Sequence, residues 1–319
     1  MNDTLALRIR AMSWEAEGIL GLELVPASPG TELPMVEAGA HVDLRLPGGL
    51  VRSYSLLNPG DRARYCIAVN RDAASRGGSR AVHEQLRPGQ VIEVSPPRNH
   101  FPLAEDAPHS VFIAGGIGIT PILAMLRRLV TLGRPWTLHA AARTRAHAAF
   151  GDVLRGLAEQ GQGRVERVFD QEPGGQRLDI DAIVATLPAG AHVYCCGPSG
   201  MLAAFERATA GLPRDRVHLE HFAGSQPAAT GGGYTVMLRR SGRSLVVAPG
   251  QTLLDGLIAI GVEPPWSCRQ GVCGTCETRV LDGVPDHRDL VLGEADRAAN
   301  DRMMVCCSGA KTPTLVLDL

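Results

Sequence analysis

Seven of the eight cysteines in this chain lie beyond residue 190, and three of them, Cys268, Cys273 and Cys276, stand at C-x4-C-x2-C spacing. Cys306 follows after residues 277–305. Three thiolates from one tight loop and a fourth from a distance are how a plant-type 2Fe–2S cluster is held. Gly271 and Gly274, between those ligands, would let backbone N–H groups turn toward the sulfurs, and such bonds favour the reduced, more negative cluster. A structural zinc site is the alternative chemistry. Zinc modules pair two short knuckles, however, and a single loop with one distant cysteine fits that poorly. Cys307 adjoins Cys306, so the spacing alone leaves these two in competition for the fourth position.

Four further segments carry groups suited to phosphates and flat heterocycles. In Arg52-Ser53-Tyr54-Ser55, strand alternation sends Arg52 and Tyr54 to one face, where a guanidinium can hold a phosphate and a phenol ring can stack on a heterocycle. Alone, that tetrapeptide reads equally well as an ordinary edge strand. Downstream, Ser75-Arg-Gly77-Gly78-Ser79 precedes a helical stretch, Ala81–Leu86, and such N–H groups at a helix N-terminus form an anion site or merely a surface loop. Ala114-Gly115-Gly116-Ile-Gly118-Ile-Thr120-Pro121 is a sharp strand-to-helix turn, and its glycines let a helix N-terminus approach a pyrophosphate. It lacks the G-x-G-x-x-G fingerprint. Tyr194-Cys195-Cys196-Gly197-Pro198-Ser199 is a second turn of the same kind.

The elements that must position these groups fall into three stretches. Up to about residue 100, short β-rich runs (5–9, 19–25, 41–46, 51–57, 65–69 and 91–94) alternate with Pro/Gly turns, the pattern of a small antiparallel barrel. From residue 109, strands at 110–114, 137–142, 164–169, 192–196 and 217–222 alternate with helical patterns at 121–132, 146–159, 180–187 and 199–210. That alternation argues for a doubly wound parallel sheet. Gly224–Gly233 has the composition of a flexible linker. Residues 234–319 then offer a hairpin (234–239 and 244–247), a helix (253–260), the cysteine loop and a final strand (314–317).

Composition removes several classes. The chain has 319 residues, 45% hydrophobic and 20% charged, with a formal net charge of -1. It is too apolar for a mostly disordered protein, and it lacks the basic excess of a phosphate-neutralising nucleic-acid binder. No apolar run is long enough to span a bilayer. The opening Met1-Asn2-Asp3-Thr4 has no secretory signal character, so the expected location is the cytoplasm, where clustered cysteines are metal or redox groups rather than disulfides. Ten histidines are scattered without metal-binding spacing, and His287 reads as a solvated loop residue.

R-x-Y-S, GGxGxTP and CGP, in that order, resemble the ferredoxin–NADP reductase superfamily. With a plant-type ferredoxin unit at the C-terminus, the whole chain resembles the phthalate dioxygenase reductase and vanillate O-demethylase reductase family. The resemblance implies an antiparallel β-barrel flavin domain (1–105), a doubly wound α/β nucleotide domain (106–224), a linker (225–233) and an α+β, β-grasp ferredoxin domain (234–319). It implies FMN, NADH and a 2Fe–2S cluster, and electrons passed to a separate Rieske-type oxygenase by a cytoplasmic monomer. Another terminal monooxygenase, haem or di-iron, is the alternative acceptor; a non-catalytic zinc-binding protein is the alternative class.

Carried onto this sequence, Tyr54 and Ser55 would contact the isoalloxazine, with Ser55 near N5, and Val69 and Asn70 would line it. Arg52, Gly77, Gly78 and Ser79 would hold the FMN phosphate, and Ser53 would belong to the same cofactor-binding segment. Thr120 and Cys196 would flank the nicotinamide, within turns formed by Gly115, Gly116, Gly118, Pro121, Gly197 and Pro198. Phe222 would cover the flavin. Arg143 would reach the NAD phosphate or ribose, and Asp170 would accept from a ribose 2′-OH, favouring NADH over NADPH. Cys306 would be the fourth cluster ligand.

Overall fold

The computed structural model describes residues 4–73, 75, 77–224 and 226–319. Met1–Asp3 of the N-terminal reading, Ala74 and Arg76 at the expected anion loop, and Ser225 at the start of the expected linker lie outside the described residues. Six antiparallel strands come first: β1 (Leu5–Ala16), β2 (Ile19–Pro26), β3 (His41–Leu46), β4 (Leu50–Ser55), β5 (Tyr65–Asn70) and β6 (Val91–Val94). Their order is β4-β3-β6-β1-β2-β5, and a Leu56–Ile67 bridge brings the two edges together into a barrel. Alternation sends Leu7, Ile9, Val42, Leu44, Ile67 and Val94 into its interior, where Val82 of helix α1 (Gly78–Gln85) joins them.

The second layer alternates as expected: β7 (Ser110–Gly115), α2 (Ile119–Leu132), β8 (Trp136–Ala142), α3 (Gly151–Gln160), β9 (Gly163–Phe169), α4 (Ile180–Ala185), β10 (His192–Cys196), α5 (Ser199–Ala208) and β11 (Val217–Glu220). All five strands are parallel, in the order β11-β10-β7-β8-β9. The order reverses between β7 and β10, and a crevice at the carboxyl ends of such strands is where open α/β sheets bind ligands. The helix expected over 146–159 begins only at Gly151, because Phe150 takes left-handed backbone (φ 62) and turns its ring into the core. Barrel residues Ile19, Leu57, Ala68 and Phe101 share one apolar core with Ile119, Ile122 and Leu126 of α2. Barrel and sheet therefore form a single compact unit that ends at Glu220.

The unit from His221 onward is a β-grasp. Its elements are β12 (Tyr234–Leu238), β13 (Ser244–Val247), α6 (Leu253–Ala259), β14 (Glu277–Asp282), β15 (Pro285–Asp286), α7 (Glu294–Ala299), β16 (Arg302–Met304), β17 (Gly309–Ala310) and β18 (Thr314–Leu317). The mixed sheet runs β13-β12-β18-β14-β16. Helix α6 starts in a reciprocal Thr252/Asp255 capping box and buries Leu253, Leu254 and Leu257. Sequence reading missed β14, α7 and β16. Among the described residues of 224–233, the strip differs from the expected free linker: it is hydrogen-bonded within its own unit. The N–H groups of Gly224 and Ala229 donate to Gln270 Oε1 (3.3 Å) and the Cys307 carbonyl (2.7 Å), and Thr230 C=O accepts from Gly250 N–H. Small side chains here let the strip lie close to its neighbours.

Candidate functional site

In the barrel, β4 pairs with β3 so that Arg52 faces Leu44, Ser53 faces Asp43, Tyr54 faces Val42 and Ser55 faces His41. Tyr54 packs against the barrel core, and burial pushes its phenol up to about 12 despite the neighbouring Arg52. Arg52 runs along Gly78, where a Cβ would fall 2.5 Å from Arg52 Cγ. That cradle, with Gly77 in left-handed conformation (φ 96) at the start of α1, brings a guanidinium and helix N–H groups to one place, as a phosphate requires. Ser79 Oγ accepts from Asp72 N–H (3.2 Å). The Ser53 side chain points to the other face of β4 from Arg52. Its hydroxyl donates to Asp43 Oδ1 (2.6 Å) on the opposite face, where Arg98 pairs with the same carboxylate.

Ser55 is buried opposite His41, whose imidazole is pushed down to about 4 by burial and then by Arg98. Val69 is buried at the end of β5, its carbonyl bonded to His83 Nε2 (2.9 Å), and Asn70 closes the strand. These residues occupy the barrel rim beside β4.

In the parallel sheet, the two glycine turns pack directly on each other. A Cβ on Gly118 would lie 2.2 Å from the Cys196 carbonyl oxygen, and one on Gly115 would lie 2.6 Å from Pro198 Cδ. Glycine is needed at 118 for closeness, since its φ of -60 is ordinary. Thr120 is buried and its hydroxyl donates to the Ile117 carbonyl (2.8 Å), which fixes the turn. Helix α2 begins at Ile119, two residues before the expected start, so Pro121 sits within its first turn. A Cβ on Gly197 would lie 2.7 Å from Met201 Sδ of α5 and 3.1 Å from Gly115 N in the facing turn.

Register places Ala114, Cys196 and Glu220 side by side at the carboxyl ends of β7, β10 and β11. Burial, and then Glu220, push the Cys196 thiol well above its ordinary range. Burial lifts the Glu220 carboxyl to about 8, and among the described residues its Oε2 is sealed from solvent without a hydrogen-bond partner. Glu220 is the residue that sequence reading missed. Only strand register, not a motif, aligns it with Cys196. Beneath it, His218, Tyr194 and Phe112 form a stack across the same strands, with centroids 4.3 and 5.0 Å apart.

Farther along the same edge, Ala140, Ala141 and Ala142 leave a shallow cleft floored by Phe169, with Arg145 over the Phe169 ring at 4.6 Å. Arg143 and Asp170 flank this cleft: Asp170 N–H donates to the Ala142 carbonyl and Gln171 N–H to that of Arg143. Phe222 lies beyond the unit boundary, with an exposed ring.

In the second unit, Cys268, Cys273, Cys276, Cys306 and Cys307 are all buried and unbridged. The Cys268 thiol touches those of Cys273 and Cys306, whereas Cys307 touches Cys306 and turns back under Gly271. The hydrogen bond to Cys268, and then burial, hold the Cys273 thiol above its ordinary range. Among the described residues, no three His, Cys, Asp or Glu side chains are drawn together tightly enough to hold a lone metal ion. Four buried thiols in two short segments are a donor set that fits a two-iron cluster, whose positive irons hold thiolates deprotonated. Gly271 and Gly274 both have positive φ, and a Cβ on Gly271 would strike Cys307 Sγ and Asp289. Gln270 N–H donates to Cys268 Sγ (3.3 Å), and Val272 N–H also points to that sulfur. His287 is not solvated: its side chain is 7% exposed, because Leu290 N–H to Gly271 C=O and Arg288 N–H to Ser308 Oγ fold its segment beneath the loop.

Electron carriers on a nicotinamide-type sheet and a thiolate loop define an iron–sulfur, NAD-linked oxidoreductase. Residues 112–207 match the model of the oxidoreductase NAD-binding domain and residues 236–311 that of the 2Fe–2S iron–sulfur cluster binding domain. The chain is 56% identical over 316 residues to phenoxybenzoate dioxygenase subunit beta of Ectopseudomonas oleovorans, covering 98% of this chain and 97% of that one. Phthalate dioxygenase reductase, a solved structure described as modular for electron transfer from pyridine nucleotides to [2Fe–2S], is 37% identical with a TM-score of 0.76, over 99% of this chain and 98% of that one. An intact type IV self-sufficient cytochrome P450 monooxygenase is 40% identical with a TM-score of 0.85, and this chain spans 41% of its length. The chain belongs to the phthalate dioxygenase reductase family of oxygenase-system reductases.

Proposed function

We propose that this chain is the reductase component of a two-component oxygenase, taking hydride from NADH and delivering single electrons to a Rieske-type oxygenase. The observation that carries the reading is the pairing, in one chain, of a nicotinamide-type crevice with four buried, unbridged thiols at cluster spacing. Bound FMN would supply two-electron hydride acceptance and the 2Fe–2S cluster one-electron transfer; the protein aligns the carriers and tunes them. Arg52 and the Gly77–Ser79 N–H groups hold the FMN phosphate, and Tyr54, Ser55, Val69 and Asn70 frame its ring. The Gly115–Pro121 and Cys196–Pro198 turns hold the pyrophosphate and nicotinamide, with Thr120 fixing the first and the uncharged Cys196 and Glu220 keeping water and fixed charge from the hydride path.

Arg143 and Asp170 bind the adenosine ribose. Cys268, Cys273, Cys276 and Cys306 ligate the irons. Residues 1–105 serve as the flavin part, 106–220 as the nucleotide part that ends with the first compact unit, and 234–319 as the ferredoxin part, and the protein works as a monomer in the cytoplasm. Among the described residues, no helix is long and apolar enough to cross a membrane.

The test is Cys273→Ser in the full chain. NADH-dependent dye reduction is retained, while electron delivery to a purified oxygenase partner is lost. Partner reduction by a cluster-free variant refutes the reading. The match to a cytochrome P450 chain supports a haem acceptor as the second reading. Reduction of a haem protein but not of Rieske oxygenases would establish that acceptor instead.

A further inference from the structure

The cluster loop holds three residues in left-handed backbone: Gly271, Gly274 and Arg269 (φ 55). Glycine takes that conformation freely, but an arginine there is strained by about 1–2 kcal/mol. Something must hold it. The Arg269 guanidinium lies over the Trp266 ring, 4.2 Å from its centroid, and Nη1 donates to Asp255 Oδ1 (2.9 Å). The other Asp255 oxygen accepts from Thr252 Oγ1 (2.7 Å) and Thr252 N–H (3.4 Å), closing the α6 capping box. At the same helix end, Leu254 N–H donates to the Val305 carbonyl (3.0 Å), one residue before Cys306. One helix terminus therefore grips both cysteine-bearing segments, the loop through Arg269 and the Cys306 segment through Leu254. Left-handed backbone at 269 is what turns Gln270 N–H back onto Cys268 Sγ (3.3 Å).

We propose that Asp255, Arg269 and Trp266 form a clamp that positions the cluster loop, and that it sets the reduction potential by fixing the N–H···S bonds at Cys268. The inference rests on these thiols being the cluster ligands. Hydrogen bonds to the sulfurs stabilise the more negative, reduced cluster, so loosening them lowers the potential. Arg269 is a positioning residue, since none of its contacts is to a cysteine sulfur.

The experiment compares the full-length holoprotein with Arg269→Gly, Arg269→Lys and Trp266→Leu. The midpoint potential is read by EPR-monitored reductive titration, and cluster loss by visible absorbance in chelator. Glycine permits the left-handed backbone but does not enforce it, so Arg269→Gly removes the clamp and leaves the turn free to leave that conformation, and Trp266→Leu removes the stacking surface without altering charge. The clamp predicts that all three variants lower the reduced-to-oxidised ratio at fixed poise and speed cluster loss. A tenfold fall corresponds to about 59 mV for one electron. An unchanged potential in Arg269→Gly overturns the proposal. So does a potential restored by lysine together with an unaffected Trp266→Leu, because charge alone would then explain it. Wild-type protein containing neither iron nor acid-labile sulfide would overturn the ligand assignment itself, a failure visible before any variant is compared.

Discussion

Glu220→Gln separates a buried proton-bearing carboxyl from an ordinary surface one. Burial lifts this group to about 8 from an ordinary 4.5. A gap of about 3.5 units, at 1.36 kcal/mol each, caps its linkage to folding at about 5 kcal/mol. The residue as a whole is partly exposed although Oε2 is sealed, which lowers that cap, so about 2–3 kcal/mol is the effect to seek. The sign follows from proton counting. The unfolded carboxyl ionises from about pH 4.5 and the folded one only near 8, so between those values the folded state holds more protons. Stability from this group is fully present below about pH 4.5 and is lost as pH rises through about 8.

Glutamine copies the protonated shape and does not titrate. Urea unfolding from about pH 5 to pH 9 should therefore show wild type losing stability relative to Glu220→Gln, with the variant the more stable at the alkaline end. At neutral pH, NADH-dependent dye reduction by the variant should stay within about threefold of wild type, because both side chains are uncharged. Identical pH slopes for the two proteins would refute the reasoning, since they would mean that the carboxyl is already ionised in the fold.

Three further substitutions probe the other parts of the crevice. Arg52→Ala should weaken flavin retention by about ten- to a hundredfold, the loss of one charge-assisted hydrogen bond of about 1.5–3 kcal/mol, as read by equilibrium dialysis of released flavin. Gly118→Ala should cost about 1–3 kcal/mol and raise KM for NADH, because its methyl would meet the Cys196 carbonyl oxygen and the two turns must part; thermal unfolding and steady-state kinetics check both. Asp170→Ala should erode the preference for NADH over NADPH, measured as the ratio of kcat/KM values, by removing repulsion of a 2′-phosphate; an unchanged ratio places the 2′ end elsewhere.

The chemistry written as local spacing was legible in the sequence. Cys268, Cys273 and Cys276 must lie within one loop, and strand-to-helix turns declare themselves through Gly115, Gly116 and Gly118. Properties set by contacts distant in the chain were not legible. Glu220 looked like any strand carboxylate until parallel register placed it against Cys196. Ser53 belonged to a promising tetrapeptide, but pairing with β3 committed its hydroxyl to Asp43. The strip 224–233 looked featureless because its bonds reach Gln270 and the Cys307 carbonyl, far along the chain. Arg269 gave no signal at all, since nothing in composition marks an arginine held in a conformation that glycine prefers.

The two carrier sites answer opposite electrostatic needs. Hydride leaves a nicotinamide that becomes cationic, so a fixed negative charge beside it would hold back the oxidised product, and a fixed positive charge would oppose the step. Burial resolves this at Glu220, whose carboxyl it keeps largely protonated near neutral pH, while the Cys196 thiol and Tyr54 phenol, uncharged there in any case, are pushed further from ionisation. The cluster instead gains negative charge with each electron, and there the fold directs N–H dipoles at a sulfur from Gln270 and Val272. Dipoles suit that task better than a full positive charge. They stabilise the reduced state by an amount that geometry sets, without fixing an electron so firmly that an acceptor cannot take it. This accounts for the loop's cation, Arg269, being engaged with Asp255 and Trp266 rather than with a cysteine sulfur.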